Sequence, residues 1–522
     1  VSADPPALAC SGLTIRFGDF VALQDVTLTL GRYRIHAVCG QNGAGKTSFA
    51  RACAGLIGSA TGTVEIASRP LRIGHVAAAR EAGVELVHQS FALPPSFTVA
   101  EAMEFGLSGS TGAIFFRRTL NRRWAKHLKA LGVEAKPKDR IRDLPVETQQ
   151  AVEIARALAG DARLLILDEP TAVLAPGAVD ALFARLRRLR DSGVTIIIIL
   201  HKVREVLAIA DTVTVLRGGR LVDGPTEATE VTAESLARSI IGAAAIAAEA
   251  PEDQAALVGA SIPRGTHAQP AAAVTAPLLS IAGAATAKTG DGPALRQIDL
   301  SVGAGEILGI AGVEGNGQQP LVQAIAGLIP LTAGRLTLDG TDITAMPLAE
   351  RRRRGLRIIP FERNTEGLSL SSALWENWAA RGLLGHSALS LINPAKLRAE
   401  ARAAFTTWDV RFETVNQPAR SLSGGNAQKV ILSREIDEAA RLIILAQPTR
   451  GLDIGATAFV WHAMREARKR GLGLILISSD LDELFDISDR VIVLQGGSIA
   501  GDFTAPYDLH AVGTAMVGSA AA

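Results

Sequence analysis

The sequence predicts an α/β protein made of two collinear copies of one domain, each with a mostly parallel sheet at its centre. Short β-branched runs, such as Thr195–Ile199 and Leu474–Ile477, alternate with Ala-, Leu- and Arg-rich stretches of helical character. Landmarks also recur in one order: Gly312 follows Gly40 by 272 positions, whereas Leu422 follows Leu144, Ala446 follows Asp168 and Ser479 follows His201 by 278. One small insertion thus separates the copies. At 522 residues the chain is too long for a single core of ordinary size.

Residues 243–277 are rich in Ala, Pro and Gly and lack a sustained apolar period, so they read as a flexible linker between a first domain, 1–242, and a second, 278–522. The 54 basic and 52 acidic residues nearly cancel, which leaves no overall field for nucleic acid or an anionic membrane. Cys10, Cys39 and Cys53 form neither a CxxC pair nor a His/Cys ligand set and read as reduced thiols. The longest strongly apolar run, Val194–Leu200, has the length of a strand rather than of a membrane span. The first residues lack the basic start and apolar core of a signal peptide, so export is not expected, and the missing initiator Met suggests a trimmed start.

The first copy carries a complete phosphate-handling set. GQNGAGKT, Gly40–Thr47, fits the P-loop pattern and lies between the strand-like Ile35–Cys39 and a helix-like stretch beginning at Ser48. In that pattern the backbone of Gly40, Gln41, Asn42, Gly43, Ala44 and Gly45 curls around phosphate oxygens, and the helix that follows adds its positive end at Ser48. Lys46 neutralises the β and γ phosphates, and Thr47 offers a hydroxyl to Mg2+. An apolar strand ending at Asp168 and Glu169 delivers one carboxylate to the metal and the other to the attacking water. His201 ends another strand, placed to touch the γ-phosphate. Gln89 ends a further one and can give an oxygen to Mg2+ or water; His88 beside it reads as packing. Phe17 offers an aromatic face for adenine, with a place in the core as the rival reading.

Together with SLSGGNAQKV, Ser421–Val430, these elements resemble the ATP-binding-cassette family across both copies. The resemblance implies two tandem P-loop NTPase cassettes, each with a helical subdomain, closing head to tail around ATP. The first P-loop then faces Ser423, Gly424, Gly425 and Asn426 of the second copy, at a helix N-terminus suited to anions. Asp453 in GLDIG is placed to help align that site. The opposite site is damaged on both faces. Gln318 and Gln319 replace the Lys and the metal-binding hydroxyl, Ala446 and Gln447 replace the carboxylates, and Ser479 replaces the His. The first copy's signature reads LPVETQQ, with Pro145 and a Glu147 that repels phosphate. Because the losses all fall on one composite site, a single hydrolytic site is expected.

Two fused, unequal cassettes resemble the ATPases of bacterial importers for simple sugars and nucleosides. Such a motor implies two transmembrane permease subunits, an extracytoplasmic substrate-binding protein and a peripheral place on the cytoplasmic face of the inner membrane. AQPTRGLDIG, the GNGQ of the second loop and Val87–Gly106 resemble the nucleoside branch, with a pentose or other sugar as the alternative. A soluble cassette protein acting on ribosomes or nucleic acid is the reading from another class, disfavoured by the neutral charge and Ala/Pro-rich linker. Phe91, Pro94, Pro95 and Phe97 are candidates for a cleft that receives a permease helix, with ordinary packing as the rival. The basic runs at Arg117, Arg118, Arg122 and Arg123 and at Arg351–Arg354 read as solvated helix faces, with lipid headgroups as the rival partner. Trp375, Trp378, Trp408 and Trp461 read as packing anchors.

Overall fold

The computed structural model describes residues 5–18, 20–88, 93–105, 117–160, 162–171, 174, 176–242, 277–288, 290, 292–313, 315–383 and 391–517. Gln89, Phe91 and the linker up to residue 276 lie outside the described residues. The chain forms two compact units, one carrying the described residues through Gly242 and the other those from Pro277 onward.

In the first unit a six-stranded sheet runs in the order Arg220–Glu227, Thr212–Arg217, Ile35–Cys39, Thr195–Ile199, Leu164–Asp168 and Val84–Val87. Every neighbouring pair is parallel except the first. The three middle strands Ile35–Cys39, Thr195–Ile199 and Leu164–Asp168 are buried at every position. That burial explains their near-continuous apolar composition, because a parallel sheet is covered on both faces. Register places Ile35 beside Ile196 and Asp168 beside Ile199, so the carboxyl ends of these strands lie together. A second, antiparallel sheet orders Phe20–Leu30, Leu8–Phe17, Ala60–Ile66 and Arg69–Pro70.

The helices Val99–Glu104, Arg117–Ala130 and Val146–Ala157 enclose a separate small core that includes Met103, Trp124, Leu128, Ile141 and Val152. This is the helical subdomain. Trp124 is buried and satisfies its indole by donating to Glu104 Oε2 at 3.0 Å.

The second unit repeats the plan. Its large sheet orders Leu356–Ile359, Leu442–Ala446, Gly473–Ile477, Ile307–Ala311, Arg490–Gln495 and Ser498–Thr504, again antiparallel only at the last pair. The four tryptophans read as anchors pack on its principal core, Trp461 within it and the others partly buried against it. All three cysteines are free and buried; burial pushes the Cys10 thiol up to about 11 and Cys39 up to about 12. Among the described residues no helix is long and apolar enough to cross a membrane.

One basic run needs correction. The helix Arg117–Ala130 does expose Arg117, Arg118, Arg122 and Arg123. Arg351, in contrast, is only 2% exposed. It donates to Ala324 O and Ile325 O at 2.8 Å, to Met346 O at 2.8 Å and to Thr344 O at 2.9 Å. The guanidinium therefore caps the last carbonyls of the helix Gln318–Ala326, where the helix dipole favours a cation. Arg352 pairs with the buried Glu435 at 3.1 Å, and only Arg353 and Arg354 face solvent. Four arginines in a row carry no periodic signal that marks the first as buried.

Removing Arg351 leaves several buried carbonyls without donors, each costing about 1–3 kcal/mol. Arg351→Met is expected to lower the urea midpoint followed by second-unit tryptophan fluorescence, whereas Arg353→Met leaves it unchanged.

Candidate functional site

The turn after Ile35–Cys39 is shaped by close approach of backbone to backbone. A Cβ on Gly40 would lie 2.1 Å from Leu216 O, and one on Gly45 would lie 2.5 Å from Ala22 O. Both glycines also have positive φ, +150° and +96°, so a side chain is excluded by space and by conformation. Gly45 caps the helix Lys46–Cys53, and Asn42 and Gly43 form the exposed tip of the loop. Ala44 is buried, while Gln41 and Ser48 are partly so. The N–H groups of the first turn of that helix thus face the loop, an arrangement that attracts anions.

Lys46 is buried at 5% exposure, and its Nζ donates to Gly40 O at 2.8 Å and Gln41 O at 2.9 Å. The ammonium is thereby held across the mouth of the loop. Thr47 Oγ1 donates to Asp168 Oδ1 at 3.2 Å, which joins residues 121 positions apart. A hydroxyl and a carboxylate oxygen meeting beside a phosphate loop are the hard oxygen donors that Mg2+ prefers. Burial, with the neighbouring Glu169 charge, pushes the Asp168 carboxyl above its usual range despite the Thr47 hydrogen bond.

Glu169 follows the strand with a left-handed φ of 52°, its N–H donating to Ile199 O at 3.2 Å. This turn aims its carboxylate at His201, and Glu169 Oε1 and His201 Nε2 are hydrogen-bonded. Burial opposes the charge on Glu169, but His201 and Lys46 offset it and hold the carboxyl below its usual range. The Glu169 carboxylate is thus favoured in its ionised form and oriented by the His201 imidazole. The structure also places His88 half-buried, within electrostatic reach of Arg51 and Asp168.

The second copy rebuilds this shape without the charges. Gly312 and Gly317 repeat the positive φ values of Gly40 and Gly45, at +156° and +116°. Gln318, 7% exposed, occupies the lysine position and donates from Nε2 to Val313 O at 3.1 Å. Gln447 repeats the left-handed turn at φ 51°, and its Oε1 accepts from Ser479 Oγ at 3.3 Å and Ser479 N at 3.4 Å. Side-chain pairing across the strand ends is retained, but the paired Gln447 and Ser479 are both neutral.

Ser423 caps the helix Gly424–Glu435, accepting from Asn426 Nδ2 at 3.0 Å and Asn426 N at 3.5 Å, while Asn426 Oδ1 accepts from Arg411 N at 2.8 Å. Asp453 caps the helix Ile454–Lys469 by accepting from Ala456 N at 2.8 Å. At the matching place in the first copy Pro145 caps its helix without a side-chain hydrogen bond, and Glu147 is exposed in the first turn. Phe17 closes the first strand at 49% exposure, paired with the 61% exposed Phe20, which removes the core reading. Phe97 packs on the small helical core and meets Phe105 edge-on at 5.6 Å, with Phe105 itself 58% exposed.

The family model described as ABC transporter matches residues 23–172 and 295–450. Over 523 residues the chain is 34% identical to the ribose import ATP-binding protein RbsA 1 of Rubrobacter xylanophilus, covering 99% of each. It is 35% identical over 491 residues to the nucleoside import ATP-binding protein NupA of Lactococcus lactis, covering 94% of this chain and 93% of that one. Among solved structures, the complex of archaeal ribosomal stalk protein aP1 and ribosome recycling factor aABCE1 contains a chain matched at TM-score 0.60. That match is 17% identical and covers 95% of this chain and 90% of the other, a likeness of fold alone.

Lys46→Gln copies the second loop's substitution into the first. The loss of a charge-assisted contact worth about 1.5–3 kcal/mol is expected to weaken ATP binding roughly tenfold or more, measured with a fluorescent ATP analogue, while Gln318→Ala leaves tight binding intact.

Proposed function

The chain belongs to the ABC transporter family, and on that premise we propose that it is the ATP-hydrolysing motor of an importer with one competent site. The observation that carries this reading is the contrast between two turns of equal shape. Glu169 and His201 beside Asp168 form an ionisable set, while Gln447 and Ser479 beside Ala446 form a neutral one.

In this reading the loop Gly40–Gly45 and the start of the following helix bind the ATP phosphates through backbone N–H groups. Lys46 exchanges its loop carbonyls for phosphate oxygens. Thr47 and Asp168, with Gln89 as the sequence suggests, would hold Mg2+, which would supply neutralisation of phosphate charge. Glu169 orients the attacking water and accepts its proton, with His201 fixing the carboxylate and meeting the γ-phosphate. Phe17 offers its exposed ring to adenine. The second copy contributes Ser423, Gly424, Gly425 and Asn426, whose helix N-terminus stabilises charge on the transferring phosphoryl group.

Closure on ATP and reopening after hydrolysis then drive two transmembrane permease subunits, to which an extracytoplasmic binding protein delivers substrate. The chain works as a peripheral subunit on the cytoplasmic face of the membrane. The exposed Phe105 and the neighbouring Pro94, Pro95 and Phe97 supply an apolar place for a permease helix. A nucleoside is the proposed cargo, supported by AQPTRGLDIG and GNGQ in the second copy and by the nucleoside-import relative. The ribose-import relative, at nearly equal identity, supports a pentose as the second reading.

Glu169→Gln is expected to keep ATP bound while hydrolysis falls at least about 100-fold, whereas Gln447→Ala changes turnover little; equal losses from both refute the one-site motor. With the permeases and binding protein in vesicles, nucleosides rather than pentoses are expected to stimulate phosphate release. Stimulation by pentoses alone transfers the cargo to the second reading.

A further inference from the structure

The signature glycines of the second copy sit under tight contacts. A Cβ on Gly425 would lie 3.1 Å from the Ala456 methyl, and one on Gly424 would lie 3.4 Å from Arg363 Nη2. Arg363 opens the one-turn π-helix Arg363–Gly367, beyond the edge strand Leu356–Ile359. The same Nη2 donates to Arg450 O at 3.3 Å and lies 3.6 Å from the Cβ position of Gly451. One guanidinium therefore hydrogen-bonds the loop that runs from Gln447 to Asp453 and lies beside the first residue of the signature helix, where a side chain on Gly424 would meet it.

Two further features argue against a role in simple packing. A cleft of about 250 Å³, lined in part by Arg363, Gln428 and Gln447, opens beside the side chain. The hydrogen bond to Arg450 O, rather than close packing all round, thus holds the guanidinium. A cation beside a helix N-terminus also opposes the helix dipole, so helix stability does not account for its placement there. The first copy has Val146 and Glu147 where the second has Gly424 and Gly425, so a clamp of this kind has no glycine seat there.

We propose that Arg363 is a positioning residue for ATP hydrolysis, clamping the N-terminus of the signature helix to the loop 449–453 and so setting the direction of Ser423 and the first N–H groups. This inference rests on the proposed pairing of Ser423 with ATP held by the first P-loop. Its effect belongs to the chemical step, because the residue lies in the second unit and the nucleotide is gripped by the first.

The test is single-turnover hydrolysis of bound ATP by the full chain, with binding and thermal melting measured alongside, for Arg363→Ala, Arg363→Lys and Ser423→Ala. Arg363→Ala is expected to slow hydrolysis about tenfold, as for loss of an orienting contact, with unchanged melting and ATP affinity within about twofold. Arg363→Lys is expected to recover most of the rate, since an ammonium still donates to Arg450 O. If Ser423→Ala slows hydrolysis and Arg363→Ala does not, the clamp is refuted while the pairing stands. If Ser423→Ala itself has no effect, the pairing fails first. A loss in Arg363→Ala matched by a fall in melting temperature or ATP affinity also overturns the positioning role.

Discussion

The approach of the Gly40–Gly45 backbone to Leu216 O and Ala22 O is the constraint on which the site depends. It presses the turn against a neighbouring strand and the antiparallel sheet, leaving the helix Lys46–Cys53 to start directly at the turn. The positions of Lys46 and Thr47 then follow from helical geometry, and Asp168 reaches Thr47 because its strand is separated from the central one only by Thr195–Ile199. The same constraint operates at Gly312, where a Cβ would lie 2.6 Å from Leu494 O, although Gln318 stands there in place of the lysine. Shape and charge are therefore separable here: backbone packing preserves the first after side-chain substitution removes the second.

Much of this was legible in the sequence because the decisive signals are local. Glycine spacing, a strand of suitable length before it and a helix after it define the loop, and Asp168 and Glu169 end an apolar run whose buried face is continuous. Parallel order also followed from strands alternating with helices. The two copies aligned because insertions between them are small.

What escaped notice depends on partners distant in sequence. The Glu169–His201 bond spans two strand ends, and its neutral counterpart at Gln447 and Ser479 is recognisable only once both left-handed turns are seen. Arg351 lies in a basic run that composition alone assigns to solvent, yet its guanidinium is enclosed by four backbone carbonyls. Arg363 gave no motif at all. Its meaning comes from two glycines, Gly424 and Gly451, which are brought to it by different elements. Phe17 fits an adenine-stacking ring or a core residue in the sequence alone, and its place at the end of a paired strand exposes it.

The bond between Gln447 and Ser479 has a consequence for how the molecule meets changes in acidity. Neither partner gains or loses a proton over the range in which cells live, so that turn keeps one electrostatic state whatever the surroundings. Its counterpart joins two ionisable groups. Acidification thus acts on the paired turn of the first copy and leaves its Gln447–Ser479 equivalent unchanged, although the two turns have the same backbone shape.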